Sequence, residues 1–282
     1  MKSSIDCDGL RLIFFLLLFS YIPNVQSMDW SKTEVHFQHG DLKQVGTDGG
    51  ESETLILTLQ HADGWAFGDN FFFIDYSVSN SDQHGKNPFN PGYDDKAFYG
   101  EGYSNFSLSK LTDRNFAYGF IKDVGILVGI NVAPEVDSWW FLPGIRLSLD
   151  LPGFNFANLS MTGYLNHAYG DKHSNQFVIV DESDSWMVDF SWSYPFKLGV
   201  TSWSLEGHIE YIAGRHQENN FGEKNLAGWI LAQPQLRLDA GELLFDSRDR
   251  LFVGIEYQYW HNKLGEDGTH DQEAQLLMVL RF

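Results

Sequence analysis

The chain has 282 residues, a formal charge of -19, a mean hydropathy of -0.27 and 16 % aromatic residues. Such acidity argues against nucleic acid and against peripheral docking on anionic lipid, both of which need Lys and Arg patches. Residues 1–27 read as a cleaved signal peptide: Lys2 and Arg11 precede an apolar run from Leu12 to Ile22, and Val25-Gln-Ser27 supplies a small-residue cleavage site. Their removal takes away Cys7, the single cysteine, so residues 28–282 have neither disulfide nor thiolate metal chemistry. The longest apolar stretch that remains, Val124 to Ala133, is far too short for a spanning helix.

The chain then alternates with a period of two. The first predicted strand, Thr33 to His39, sets Val35 and Phe37 against Glu34, His36 and Gln38. The second, Glu53 to His61, opposes Leu55, Leu57 and Leu59 to Thr54, Thr58 and Gln60. The third, Asn70 to Val78, sets Phe72, Ile74 and Tyr76 against Phe71, Phe73 and Asp75. The polar stretch Ser79 to Lys96 reads as a surface loop. In the fourth, Phe98 to Leu108, Glu101, Tyr103, Asn105 and Ser107 share a face. The fifth, Val124 to Ala133, is apolar on both faces and leaves its register open. The sixth, Ser138 to Leu151, alternates Ile145, Leu147 and Leu149 with Arg146, Ser148 and Asp150.

The second half behaves alike. The seventh strand, Phe154 to His167, is ambiguous in register. The eighth sets Trp186, Val188, Phe190, Trp192 and Tyr194 against Asp189, Ser191 and Ser193. The ninth opposes Trp203, Leu205, Ile209 and Tyr211 to Glu206, His208 and Glu210. The tenth, Trp229 to Leu238, turns Gln233, Gln235 and Arg237 inward, and the eleventh opposes Val253, Ile255, Tyr257 and Tyr259 to Glu256 and Gln258. The last ten residues place Ala274, Leu276, Met278, Leu280 and the terminal Phe282 on one face. Twelve strands with mostly longer odd-numbered loops predict a transmembrane antiparallel up-and-down β-barrel, with an even strand count and both termini on one side. Aromatics near strand ends, such as Trp186, Tyr194, Trp203, Tyr211, Tyr257 and Tyr259, suit bilayer interfaces, whereas the alternation alone also suits a soluble sandwich.

The face opposite the apolar one collects Glu34, Asp75, Glu101, Asp150, Asp189, Glu206, Glu210 and Glu256 with Arg146, Arg237 and Arg281. Most such charges simply pair across a narrow bore. Flat aromatic walls beside hydrogen-bonding groups are what a heterocyclic solute needs. This picks out Phe71, Phe73, Asp75, Glu101, Tyr103, Asn105 and Arg146 as candidate lumen-binding residues. Two other patterns point elsewhere. His173-Ser-Asn175 offers residues for a lipase-like enzyme, and Glu206, His208 and Glu210 offer metal ligands. Three ligands on one strand spread too far for one tetrahedral ion, so a lone lumen histidine is the expectation there. No cofactor and no catalytic residue is expected.

Phe106-Ser-Leu-Ser-Lys-Leu-Thr-Asp113 followed by Phe116-Ala-Tyr-Gly-Phe-Ile-Lys-Asp123 resembles a segment of the nucleoside-specific channel-forming outer-membrane proteins, the Tsx-like family. Asp29-Trp30, Tyr259-Trp-His261, and the stretches at Ser138-Trp139 and Leu151-Pro152 look similar too. Phe120 departs from the family's proline, and Thr54, Thr58 and Gln60 stand where relatives carry acids. The resemblance implies a twelve-stranded monomeric barrel in the bacterial outer membrane, passing nucleosides by diffusion. A surface receptor, adhesin or secreted lectin-like protein is the alternative that the residues leave open.

Overall fold

The computed structural model describes residues 28–43, 51–80, 96–174 and 177–282. The expected signal peptide and most of the two polar loops, at 44–50 and 81–95, lie outside the described residues. In chain order the strands are β1 (Trp30–Lys43), β2 (Glu51–Trp65), β3 (Gly68–Asn80), β4 (Lys96–Ser107), β5 (Ile121–Ala133), β6 (Ser138–Leu149), β7 (Phe156–Ala168) and β8 (Ile179–Glu182). They continue as β9 (Ser185–Leu198), β10 (Thr201–Ile212), β11 (Arg215–Asn219), β12 (Gly222–Leu226), β13 (Trp229–Ala232), β14 (Gln235–Asp239), β15 (Leu251–His261) and β16 (His270–Arg281). Two short helices, α1 (Leu108–Thr112) and α2 (Ala240–Phe245), occupy the β4–β5 and β14–β15 connections, and α1 takes in Leu108, expected at the end of the fourth strand.

Thirteen of these strands form one antiparallel sheet, and it closes on itself: β1 pairs with both β2 and β16, and β9 pairs with both β7 and β10. β13 and β14 are two halves of one stave, since each lies between β10 and β15 in the same register. The break falls at Gln233-Pro234, where the proline has no N–H for the ladder. The barrel therefore has twelve staves. The start of β1 and the end of β16 lie at one end, here the terminal end, together with the β2–β3, β4–β5, β6–β7, β9–β10 and β14–β15 connections.

Its polarity is inverted relative to a water-soluble protein. On β2, Leu55, Leu57 and Leu59 are 49, 40 and 42 % exposed, while Thr54 and Thr58 on the opposite face are 2 and 6 % exposed. The same parity holds on β16, where Leu276, Met278 and Phe282 face outward and Gln275 is fully buried inside. A solvent-exposed hydroxyl beside a buried leucine would be the cheap arrangement in water; this barrel does the reverse. Trp186 and Tyr211 pack together on the outer surface near the far end, their rings 5.3 Å apart, while Tyr194 and Phe196 stack near the terminal end.

The two ambiguous registers resolve on size. On β5 the inward residues are Gly125, Leu127, Gly129 and Asn131, and Ile126, Val128 and Ile130 face out. The glycines make room for β4: a Cβ on Gly129 would stand 2.5 Å from the Tyr103 ring, and one on Gly125 1.9 Å from Asn105 Oδ1. On β7, Ser160, Thr162 and Tyr164 point inward, and Leu159 and Met161 outward. Asp150, expected in the lumen, is instead exposed just past the end of β6.

The remaining strands form a separate sheet, ordered β12-β11-β8, built from the far-end connections between β7 and β9 and between β10 and β13. Gly129→Leu is expected to drive a side chain into the Tyr103 ring and destabilise the barrel by about 1–3 kcal/mol. A lowered urea midpoint for the detergent-folded protein, with the m-value unchanged, is the readout.

Candidate functional site: the barrel interior

The polar inward face divides into five groups, each placed by strand parity. Nearest the terminal end, Glu34 on β1 accepts from two arginines: Arg281 Nε at 2.6 Å and Arg237 Nη1 at 3.1 Å. Arg237 Nη1 also lies 3.2 Å from Glu206, and His36 Nε2 lies 2.8 Å from Glu34 Oε2. The Arg281 guanidinium rests over the Phe252 ring, 4.5 Å from its centroid. Charges this buried persist because each has an opposite charge and further hydrogen bonds.

Above this network, on the β14–β16 and β1 wall, one carboxylate gathers four amides. Gln38, Gln233 and Gln275 donate to Glu256 at 2.7, 3.2 and 3.3 Å, and Gln235 donates to it as well. Gln235 in turn accepts from Arg237 Nε at 2.8 Å. Because glutamine can both donate and accept, it solvates a buried carboxylate where lysine or arginine would add a charge.

The candidate residues Phe71, Phe73, Asp75, Glu101, Tyr103, Asn105 and Arg146 all point inward from β3, β4 and β6, but they form two groups. In the first, Arg146 Nη1 pairs with Asp69 at 2.8 Å, and Asn105 Nδ2 donates to the other Asp69 oxygen at 2.8 Å. Asp69, outside the strand read from the sequence, is the residue that ties Asn105 to Arg146. In the second group, Glu101 accepts from Tyr99 OH at 2.6 Å, Tyr103 OH at 2.8 Å and Asn131 Nδ2 at 3.0 Å. Tyr99 and Asn131 were missed. Tyr99 lies on the same parity as Glu101 and was legible; Asn131 was not, because the β5 register was open. The Phe71 and Phe73 rings are 6.2 Å apart, and Tyr99 continues the row 6.1 Å beyond Phe73. Asp75, beside this row, accepts from Thr58 Oγ1 at 2.5 Å.

Facing them, on β9 and β10, His208 lies 3.4 Å from Asp189 and 3.0 Å from Gln233 Oε1. Glu206 is engaged with Arg237, so the Glu206, His208, Glu210 run does not converge on one point. Among the described residues no group of three His, Cys, Asp or Glu side chains is placed to hold a metal. His173 sits in a turn, its N–H bonded to Asp171 Oδ1 at 2.9 Å, and Asn175 lies outside the described residues. Among the described residues, no Lys or Arg pairs with Asp75, Glu101, Asp189, Glu210 or Glu256, whereas Arg146, Arg237 and Arg281 are all neutralised nearer the terminal end.

The segment resembling the nucleoside channels is a turn at the terminal end, outside the lumen. Ser107 Oγ caps α1 by accepting from Lys110 N at 3.1 Å, and Asp123 accepts from the Ser107 and Ser109 hydroxyls, the latter at 2.6 Å. Lys110 Nζ reaches back to the Trp65 carbonyl at 2.7 Å, tying this turn to the β2–β3 turn. The serines, lysine and aspartate of that segment thus have structural tasks of their own.

Glu34→Ala is expected to leave two buried guanidiniums short of a partner and to cost roughly 3 kcal/mol of barrel stability. The urea midpoint of the detergent-folded protein measures this. An unchanged midpoint would mean that water, not protein, solvates the network.

No family model matches the chain, and no curated protein does. Solved outer-membrane barrels share its course at low identity. The KdgM porin is 8 % identical, with a TM-score of 0.45 over 88 % of this chain and 99 % of that one. OmpF of Salmonella typhi, solved in complex with daunomycin, is 9 % identical, with a TM-score of 0.38 over 90 % and 97 %. The translocator domain of the autotransporter NalP from Neisseria meningitidis is 9 % identical, with a TM-score of 0.37 over 98 % and 95 %. Likeness at these scores assigns neither a family nor a solute.

Proposed function

We propose that this chain is a monomeric outer-membrane channel for small polar solutes, and that nucleosides are the class it favours. Residues 1–27 then serve as the export signal, and the apolar outer face contacts outer-membrane lipid. The observation that carries the reading is the inward aromatic row Phe71, Phe73 and Tyr99, set between the carboxylates of Asp75 and Glu101 in a barrel whose greasy side faces out. Aromatic faces stack on a heterocycle, and the flanking carboxylates hydrogen-bond to ribose hydroxyls or base N–H groups.

Asp75, Glu101, Glu210 and Glu256, with no Lys or Arg partner among the described residues, leave the middle of the lumen richer in acids than in bases, and those that are ionised make its potential negative. Cations and neutral molecules pass such a potential more easily than anions. In a planar bilayer with a KCl gradient, the reversal potential is therefore expected on the cation-selective side, with a shift toward zero in Glu101→Gln. Anion selectivity would contradict the reading of the interior.

The substrate is tested by adding nucleosides to the conducting channel. Nucleosides are expected to reduce the current, and Phe73→Ala and Tyr103→Ala are expected to raise the half-blocking concentration several-fold, as loss of an aromatic contact worth about 0.5–1.5 kcal/mol implies. Block by sugars without block by nucleosides would sink the substrate assignment and leave the channel standing.

A further inference from the structure

We infer that the hairpin β11–β12, with β8 beside it, is a hinged lid that holds the far mouth of the channel closed for most of the time; this rests on the channel reading and adds its regulation. The far ends of the staves differ from their middles. There the inward positions are apolar: Trp140 and Leu142 on β6, Tyr164 on β7, Met187 on β9, Ile212 on β10 and Trp229 on β13, all buried. They are buried by Ile179 of β8 and Leu226 of β12, which pack among them, with Tyr103, Ala133 and Trp260 at the margin. An apolar contact thus covers the mouth along the staves from β4 through β10 to β15, and the polar lumen begins beneath it.

A buried charge pair ties β11 to β8, and each of its members also reaches the wall. Arg215, the first residue of β11, donates through Nε to Glu182 of β8 at 2.5 Å. Glu182 also accepts from Gln217 Nε2 at 2.7 Å and from the wall residue Trp140 Nε1 at 2.8 Å. The Arg215 guanidinium lies between two wall aromatics, 4.3 Å from the Trp229 ring centroid and 4.9 Å from that of Tyr164. Its Nη1 is buried with no acceptor among the described residues. An arginine seated on two rings, with one nitrogen unsatisfied, is held less firmly than a fully paired one.

The hairpin is flanked symmetrically by Ala213-Gly214 and Ala227-Gly228, small residues that absorb backbone rotation at both tethers. On its other side the β15–β16 connection clasps it. Ala227 N donates to Gly265 O at 2.9 Å, and Lys224 Nζ lies 2.5 Å from Glu266. That connection is itself anchored by Lys263, whose ammonium is bonded to Asp271 at 2.5 Å and to the Lys43 carbonyl at 2.6 Å. Burial lowers the Lys263 pKa from its usual value, and Asp271 partly offsets this. Burial of Ile179 and Leu226 alone favours the closed mouth by roughly a hundredfold or more.

The test compares three purified full-length barrels in planar bilayers: the wild type, a variant with residues 215–226 replaced by a Gly-Ser-Gly linker, and Leu226→Asp. Wild type is expected to open briefly and rarely. Removal of the hairpin should give a steady conductance several-fold larger, and Leu226→Asp should raise the open fraction about tenfold or more. If the hairpin deletion fails to give a heat-modifiable folded band, Leu226→Asp decides. Equal, steady conductance in the wild type and the folded variants overturns the lid. Silence from every variant, the lidless one included, overturns the channel reading instead.

Discussion

The pairing of β1 with β16, from Glu34↔Arg281 to His39↔Leu276, removes the last free edge of the sheet. Every backbone N–H and C=O of the staves can then be satisfied within the barrel wall, apart from local breaks such as Pro234. Only a closed sheet of this kind, or a helix, can turn apolar side chains toward a medium without water. Closure is therefore the condition for the inverted polarity of Leu55, Leu57 and Leu59 against Thr54 and Thr58. The final residues take part directly: Phe282 N donates to Thr33 O at 2.9 Å, and the Phe282 ring points outward.

With the outside given over to apolar contact, the charge of the chain is concentrated inside and at the ends. The interior handles this in two ways. Toward the terminal end, arginines and glutamates neutralise one another and fill space. In the middle, carboxylates are held by tyrosine, asparagine, threonine and glutamine, whose hydrogen bonds fix their positions. Above them the lining becomes aromatic and apolar, which is where the connecting sheet is seated. From the far end inward the lining is thus apolar, then aromatic and acidic, then made of paired ions.

Period-two alternation made the barrel, its even stave count and most of its inward faces legible, because one face of each stave is greasy and the other is not. It was silent where both faces are apolar: β5 resolves only through Gly125 and Gly129, whose task is to accommodate Asn105 and Tyr103 from the neighbouring stave. The candidate residues were found on the correct side but could not be grouped. Arg146 pairs with Asp69 rather than with Asp75 or Glu101, because cross-barrel partners depend on stagger, which a local pattern does not encode. Nor does the alternation reveal β8, β11 and β12: the apolar run Phe177-Val-Ile-Val180 is too short for a stave, Leu226 ends a polar run, and both Ile179 and Leu226 bury only against distant staves. The segment carrying the family resemblance was conspicuous for its Ser, Lys and Asp spacing, and the structure assigns that spacing to a helix cap.

The central claim is that the greasy face meets lipid and the polar face encloses the path. Residues 28–282, refolded from urea, test it directly by their dependence on an amphiphile. The account predicts precipitation in plain buffer. In detergent or vesicles it predicts a folded monomer with β-sheet circular dichroism that migrates faster on a gel before boiling than after. A monodisperse, folded protein in detergent-free buffer would contradict it.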